Sequence, residues 1–174
     1  IWPHECRLVR PDGSERVIRG DGEVVCDENG APARMLLVYQ NITEQRRAEA
    51  ARQATEEKYR LIVETANEGI WAMDGGFRST YVNRRMAEML GYTRSEMIGR
   101  PYTDFMFEED LADHLKHLDN RRMGISEAYE RRFRRKDGQA VWTHASATPL
   151  FDAEQHFNGS FGMFTDITER RKAE

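Results

Sequence analysis

The sequence predicts an α+β protein: a five-stranded antiparallel sheet with short helices on one face, preceded by a long linker helix and, before that, part of a second unit of the same kind. Three observations lead there. The first is a repeat. Arg7-x-x-Arg10-x-Asp12-Gly13 recurs 125 residues later as Arg132-x-x-Arg135-x-Asp137-Gly138, and Asn41-Ile42-Thr43-Glu44 recurs at the same offset as Asp166-Ile167-Thr168-Glu169. Arg46, Ala48 and Glu49 likewise recur as Arg171, Ala173 and Glu174. A fixed period about one domain long means one folding unit used twice. The second is the order of strand and helix signals over residues 58–168, which reads β-β-α-α-α-β-β-β. The third is a helix-capping signal at the end of each repeat, Asn41 with Glu44 and Asp166 with Glu169.

In chain order, residues 5–40 read as three strands. Arg7–Arg10, Arg16–Val25 and Arg34–Gln40 are separated by the turns Pro11-Asp12-Gly13 and Asp27-Glu28-Asn29-Gly30. Residues 1–43 are therefore expected to be the C-terminal, three-stranded part of a cut first copy. Such a sheet has an apolar face, including Leu8, Val17, Val25, Leu36 and Val38, that nothing in residues 1–40 covers. A continuous helix is expected from Thr43 to Thr65, since good helix formers run on without Gly or Pro until Gly69. Its first half, with residues 44–57 as linker, shows only an alanine seam at Ala48, Ala51 and Ala54. Its second half is amphipathic through Tyr59, Ile62, Val63 and Ala66, and is expected to dock on something.

Within residues 58–168, Gly69–Asp74 and Ser79–Val82 form a hairpin across Gly75-Gly76. Asn83 caps a helix ended by Gly91, and Ser95 caps a shorter one ended by Gly99 and Pro101. Glu108–Met123 is a longer helix with Leu111, Leu115 and Leu118 as its inward stripe. Strands follow at 127–136, 140–151 and 157–165. Residues 169–174 begin an exit helix.

Composition excludes several function classes. Hydrophobic residues make up 39% and charged residues 32% of the 174-residue chain, and its net charge is −4. An acidic balance argues against a nucleic-acid binder. No apolar run is long enough to span a membrane, and Ile1-Trp2-Pro3-His4 does not open a signal peptide, so the cytoplasm is the expected location. Cys6 and Cys26 have no metal-ligand spacing and stand out of cross-strand register; they are read as reduced thiols, and no metal site is expected.

The ordered motifs resemble the PAS domain family. They are Asn-Glu-Gly-Ile-Trp at 67–71, Tyr-Val-Asn at 81–83, Met-Leu-Gly-Tyr at 89–92, Glu-Met-Ile-Gly-Arg at 96–100, Phe-Glu-Glu-Asp-Leu at 107–111, Arg-Arg-Lys-Asp-Gly at 134–138, Val-Trp at 141–142 and the closing Asp-Ile-Thr-Glu-Arg. The resemblance implies a complete PAS fold over 58–168 and a partial one over 1–43. It also implies an input and relay role in a sensor histidine kinase or a cyclic-di-nucleotide enzyme. No catalytic signature of such outputs is in the chain, so it is not expected to be an enzyme itself.

PAS domains enclose a cavity between sheet and helices. Its candidate lining here is Trp71, Met73, Tyr81, Asn83, Met86, Leu90, Met97, Phe105, Leu115, Trp142 and Met163, with Met89 and Met106 beside them. Methionine suits an adaptable pocket, but apolar stripes at this spacing are usually ordinary core. The sequence names no cofactor. Flavin-adduct photochemistry is excluded because the family's reactive thiol position holds Tyr102, whereas non-covalent flavin stays open. Haem would need His114, which stands beside the leucine stripe and is read as solvated. The run Arg131–Lys136 alternates its side chains between two faces and is read as a solvated strand end, not a phosphate site. The expected partner is a second copy, paired through the linker helices and sheet. The rival reading is a ligand-free PAS scaffold that only dimerises and sets spacing.

Overall fold

The computed structural model describes residues 4–173. Ile1, Trp2 and Pro3, with the start of the 1–43 segment, and Glu174, the last residue of the expected exit helix, lie outside the described residues. The chain divides into two compact units, residues 1–59 and 60–174.

In the first unit, β1 (His4–Val9), β2 (Glu15–Cys26) and β3 (Pro32–Asn41) form an antiparallel meander in that order. Gly13 and Gly30 take φ of +79° and +80° in the connecting turns, where a Cβ would be strained. Cys6 pairs with Ile18 and Cys26 with Pro32, so the two thiols are free and out of register. Helix α1 runs Thr43–Thr65, as the sequence predicts. Its start differs from the expected capping box. The Asn41 side chain accepts from the Thr43 amide at 3.1 Å, and Glu44 pairs with Arg47 at 3.1 Å. The reason is that the Thr43 hydroxyl takes the Val17 amide of β2, tying the helix to the sheet.

The second unit contains β4 (Gly69–Asp74), β5 (Ser79–Val82), α2 (Arg84–Leu90), α3 (Arg94–Met97), α4 (Leu111–Arg122), β6 (Glu127–Arg134), β7 (Ala140–Phe151) and β8 (Phe157–Asp166), followed by α5 (Thr168–Ala173). Two short 3₁₀ turns, Tyr102–Phe105 and Glu108–Asp110, lead into α4. The sheet is antiparallel, in the order β5-β4-β8-β7-β6. Helix α3 is capped by Thr93, not Ser95: the Thr93 side chain takes the Glu96 amide while Glu96 reaches back to the Thr93 amide.

The sequence repeat is also a structural one. At an offset of 125, β2 and β3 coincide with β7 and β8 at both ends of each strand. The register is the same, Ile18 opposite Asn41 and Thr143 opposite Asp166, and the irregularity at Val25/Cys26 recurs at Leu150/Phe151. The two sheets differ in cover. Leu8, Leu37 and Tyr39 are 45%, 40% and 53% exposed, while their counterparts Phe133, Gly162 and Phe164 are buried under helices.

Asn83 holds the helical side of the second unit to its sheet. Its Oδ1 accepts from the Met86 and Ile70 amides at 2.9 Å each, and its Nδ2 donates to the Val63 and Glu68 carbonyls. The residue is fully buried. Replacing it with Ala removes an N-cap and takes the partner from two buried amides and two part-buried carbonyls. Asn83→Ala is expected to cost about 3 kcal/mol in urea unfolding. Asn83→Asp, which keeps only the acceptor, should recover less than half of that loss.

Candidate functional site

The space between sheet and helices is occupied by aromatic rings. Trp71 stands at the centre, with ring centroids of Tyr102, Phe105, Phe133 and Phe164 at 4.8, 5.1, 5.9 and 6.1 Å. Its Nε1 donates to the Ser79 hydroxyl at 2.9 Å, so the indole is satisfied without solvent. Of the expected lining, Trp71, Met73, Asn83, Met86, Leu90, Met97 and Phe105 are buried together here, with Met89 and Met106.

Four expected residues lie elsewhere. Strand alternation puts Tyr81 opposite Ala72, and Met163 and Trp142 one position out of phase with the inward residues, so all three stand on the other face of the sheet. Tyr81 donates to Glu64 at 2.9 Å, and burial together with that carboxylate pushes its hydroxyl up to about 12. Met163 is 38% exposed, and Trp142 is half-buried. Leu115 is 54% exposed, because α4 turns a different stripe inward: His114, Leu118 and Arg121.

His114 is therefore buried, not solvated, and the basic strand is not wholly a solvated end. The alternation is as expected, but Arg131 points inward beside Phe133 and is only 5% exposed. Arg131 donates to His114 Nδ1, lies 3.5 Å from Asp113 and sits over the Tyr129 ring at 4.9 Å. Arg121, 1% exposed, donates to the Tyr129 hydroxyl. Tyr102 stacks on the His114 ring at 4.5 Å. Burial, then the Arg131 charge, drive the His114 pKa down to about 2, so the ring is neutral. The sequence shows these residues; what it hides is the rotation of α4, since three leucines make a plausible stripe of their own.

Neither cofactor fits this interior. A haem on His114 would have to replace the Tyr102 ring stacked on it, and the Trp71 cluster takes up the space of a flat macrocycle. For a flavin ring to enter, the Trp71, Phe105 and Phe133 rings packed there would likewise have to move apart. Tyr102, at the position of the adduct thiol, is itself part of the core.

A second constellation lies where the sheet hands over to α5. Thr168 Oγ1 accepts the Trp142 amide at 3.0 Å, the Ile167 amide donates to the Trp142 carbonyl at 2.8 Å, and Asp166 accepts the Thr168 amide at 2.9 Å. Glu130 on β6 pairs with Arg171 through both Nε and a terminal nitrogen, and the Arg171 guanidinium lies over the Trp142 ring at 4.4 Å. Arg171 holds the Glu130 carboxyl below the usual carboxylate range. Every one of these hydrogen bonds and ion pairs recurs 125 residues earlier. Thr43 takes the Val17 amide, Ile42 donates to the Val17 carbonyl, Asn41 accepts the Thr43 amide, and Glu5 pairs with Arg46.

An antiparallel sheet with short helices on one face, an aromatic interior and a clamped exit helix defines a PAS-type module. The chain belongs to the PAS family, whose fold matches residues 57–167. It is 31% identical over 125 residues to sporulation kinase C of Bacillus subtilis, covering 71% of this chain and 28% of that protein. It is 28% identical over 169 residues to the two-component sensor PprA of Pseudomonas aeruginosa, covering 97% of this chain and 18% of that protein. The chain thus spans less than a third of either relative. The crystal structure of the PAS domain of an HTR-like protein from Haloarcula marismortui has the same fold, with a TM-score of 0.61 at 21% identity over 70% of this chain and 99% of that one. Among the described residues, no helix is long and apolar enough to cross a membrane.

The buried histidine makes stability depend on pH. Its folded pKa lies below the unfolded value of 6.5, so below pH 6.5 the unfolded chain takes up a proton that the folded chain refuses. Stability is lost as pH falls. Between pH 7 and pH 5 the wild type should lose about 2 kcal/mol more than His114→Gln, measured by urea unfolding at each pH. Parallel curves for the two proteins would show that His114 titrates normally.

Proposed function

We propose that this chain is the sensory and relay region of a multidomain signalling protein, with a histidine kinase as the output. The carrying observation is the exit clamp, repeated bond for bond at Thr43 and at Thr168. A sheet tied twice to the helix that leaves it can pass a change in its own packing to that helix. A bias of a few kcal/mol between two helix arrangements suffices for signalling. Similarity to sporulation kinase C and to PprA supports a kinase over a cyclic-di-nucleotide enzyme. Any catalytic domain lies outside this chain, on the cytoplasmic side with it. We read residues 1–43 as the last three strands of a second PAS unit; the shared strand ends, register and irregularity support that reading. Residues 44–57 are the linker. Tyr59, Leu61 and Ile62, at 65%, 64% and 54% exposed, give α1 an apolar surface on which a second copy would pair.

One observation favours the scaffold reading instead: the Trp71 interior is filled by the protein's own rings. A scaffold would need no ligand, and its exit helices would be indifferent to the clamp.

Two experiments test the proposal. In the intact parent protein, Glu130→Arg should change kinase output and raise amide exchange in α5, and adding Arg171→Glu should restore both. Unchanged output in the single variant would leave the clamp without a relay role. Separately, deleting residues 1–40 should leave residues 58–168 folded, with their unfolding free energy changed by less than about 1 kcal/mol. Collapse of that domain would sink the two-unit organisation.

A further inference from the structure

The last turn of α1 is held to the second unit mainly by polar groups. From Leu61 to Thr65 only Val63 and Glu64 are partly covered, while Leu61 and Ile62 stay exposed. The Glu64 carboxylate receives four hydrogen bonds. One oxygen accepts from the Tyr81 hydroxyl at 2.9 Å and from Arg94 at 2.7 Å. The other accepts from the second terminal nitrogen of Arg94 at 2.8 Å and from the Arg84 amide at 3.3 Å. Those donors belong to β5, α3 and α2. The carbonyl of the preceding residue, Val63, accepts from Asn83 at 2.9 Å. One side chain and the carbonyl beside it thus set the helix against three elements. They do so at the β5 edge of the sheet, whereas the Glu130–Arg171 pair acts on β6, the opposite edge.

We infer that Glu64 is an entry clamp: the second unit takes its input from α1 at the β5 edge, and the sheet carries it to the exit helix. A bidentate Arg–carboxylate pair is directional as well as attractive. Turning α1 by about 30° moves a group roughly 6 Å from its axis by about 3 Å, enough to break these bonds. The clamp therefore responds to helix rotation. The inference rests on the relay reading and names where the signal enters. It needs no ligand, which agrees with an interior filled by the rings around Trp71. The source is the first unit, whose Glu5 holds Arg46 at the start of the same helix. Glu64 and Arg94 side chains are 22% and 48% exposed, so their pair contributes little to folding and its loss leaves the second unit intact.

A double-mutant cycle in the intact parent protein tests it. Output is read as kinase activity and, without relying on a kinase, as amide exchange in α5. Glu64→Ala and, independently, Arg94→Ala open the entry clamp from its two sides. Each should raise amide exchange in α2 and α3 about threefold to tenfold, with the urea midpoint of the second unit unchanged. Glu5→Ala loosens the first unit's hold on α1. It should change output in the otherwise wild-type protein and have no further effect when combined with either entry-clamp variant. The inference falls if Glu5→Ala leaves both readouts unchanged, or if its effect is the same in all three backgrounds. It also falls if α2 and α3 exchange as in the wild type in both entry-clamp variants, or if those variants lower the urea midpoint, which would make Glu64 a purely structural residue. Each failure leaves the relay reading standing, because that is measured by the Glu130–Arg171 charge exchange.

Discussion

The indole of Trp71 is the constraint around which the second unit is arranged. A twisted antiparallel sheet offers one apolar face, and short helices cover it poorly unless something large fills the gap. Trp71 fills it from the central strand pair, and its neighbours yield space. Gly162 is its partner on β8, and a Cβ there would meet the Phe164 ring at 2.7 Å. Ala145 and Ala147 on β7 are small for the same reason and are fully buried. At the start of β4, Gly69 lets Met86 approach until a Cβ would lie 2.6 Å from its sulfur. Large and small residues thus alternate across the interior, which fixes the register of β4 against β8 and the seat of α2 together.

Away from the indole the interior becomes polar, and the position of α4 follows from that. A leucine stripe facing inward would have made a drier core. Instead His114, Leu118 and Arg121 face in, and Arg131 meets them from β6. Buried guanidinium groups usually cost stability relative to apolar side chains of the same size. Residues with an apolar alternative one helical step away are therefore better explained by recognition or switching than by stability. Such an arrangement gives the module two kinds of interior: a rigid aromatic one that sets the fold, and a charged one beside the strand that leads to the exit helix.

Most of the fold was legible in the sequence because its signals are local. Turn glycines, the cap at Asn83 and the period of two along the strands depend on residues a few positions apart. The helix Thr43–Thr65 and the strands β7 and β8 are found within a residue of where those signals place them. The candidate site was legible only in part. Trp71, Met86 and Phe105 could be placed inward from strand and helix phase alone. Tyr81, Trp142 and Met163 could not, since aromatic and methionine residues suit either face of a sheet whose second face is partly covered. His114 and Arg131 were missed because a charged residue is read as solvated unless its partner is known. Here each is the other's partner, 17 positions apart in sequence. The exit clamp is visible in the sequence as a repeated motif, in which Asn41 and Asp166 stand out only as caps. Their threonine neighbours, which bond the sheet, carry the connection.

The comparison of the two clamps shows which part of that connection is essential. Val17 stands where Trp142 does, and Asn41 where Asp166 does, so neither the aromatic ring nor the acid is kept. What is kept is the threonine hydroxyl on the strand amide, the isoleucine amide on the strand carbonyl, and the Glu–Arg pair. Two backbone groups of one strand residue are thereby held by two consecutive residues at the helix start, which fixes the direction in which the helix leaves. The ion pair, four residues beyond the isoleucine, acts one turn into the helix and fixes its rotation. Direction and rotation are the two quantities a paired output helix responds to. An exposed ion pair adds little stability at this position, so its repetition at both exits is better accounted for by geometry than by energy.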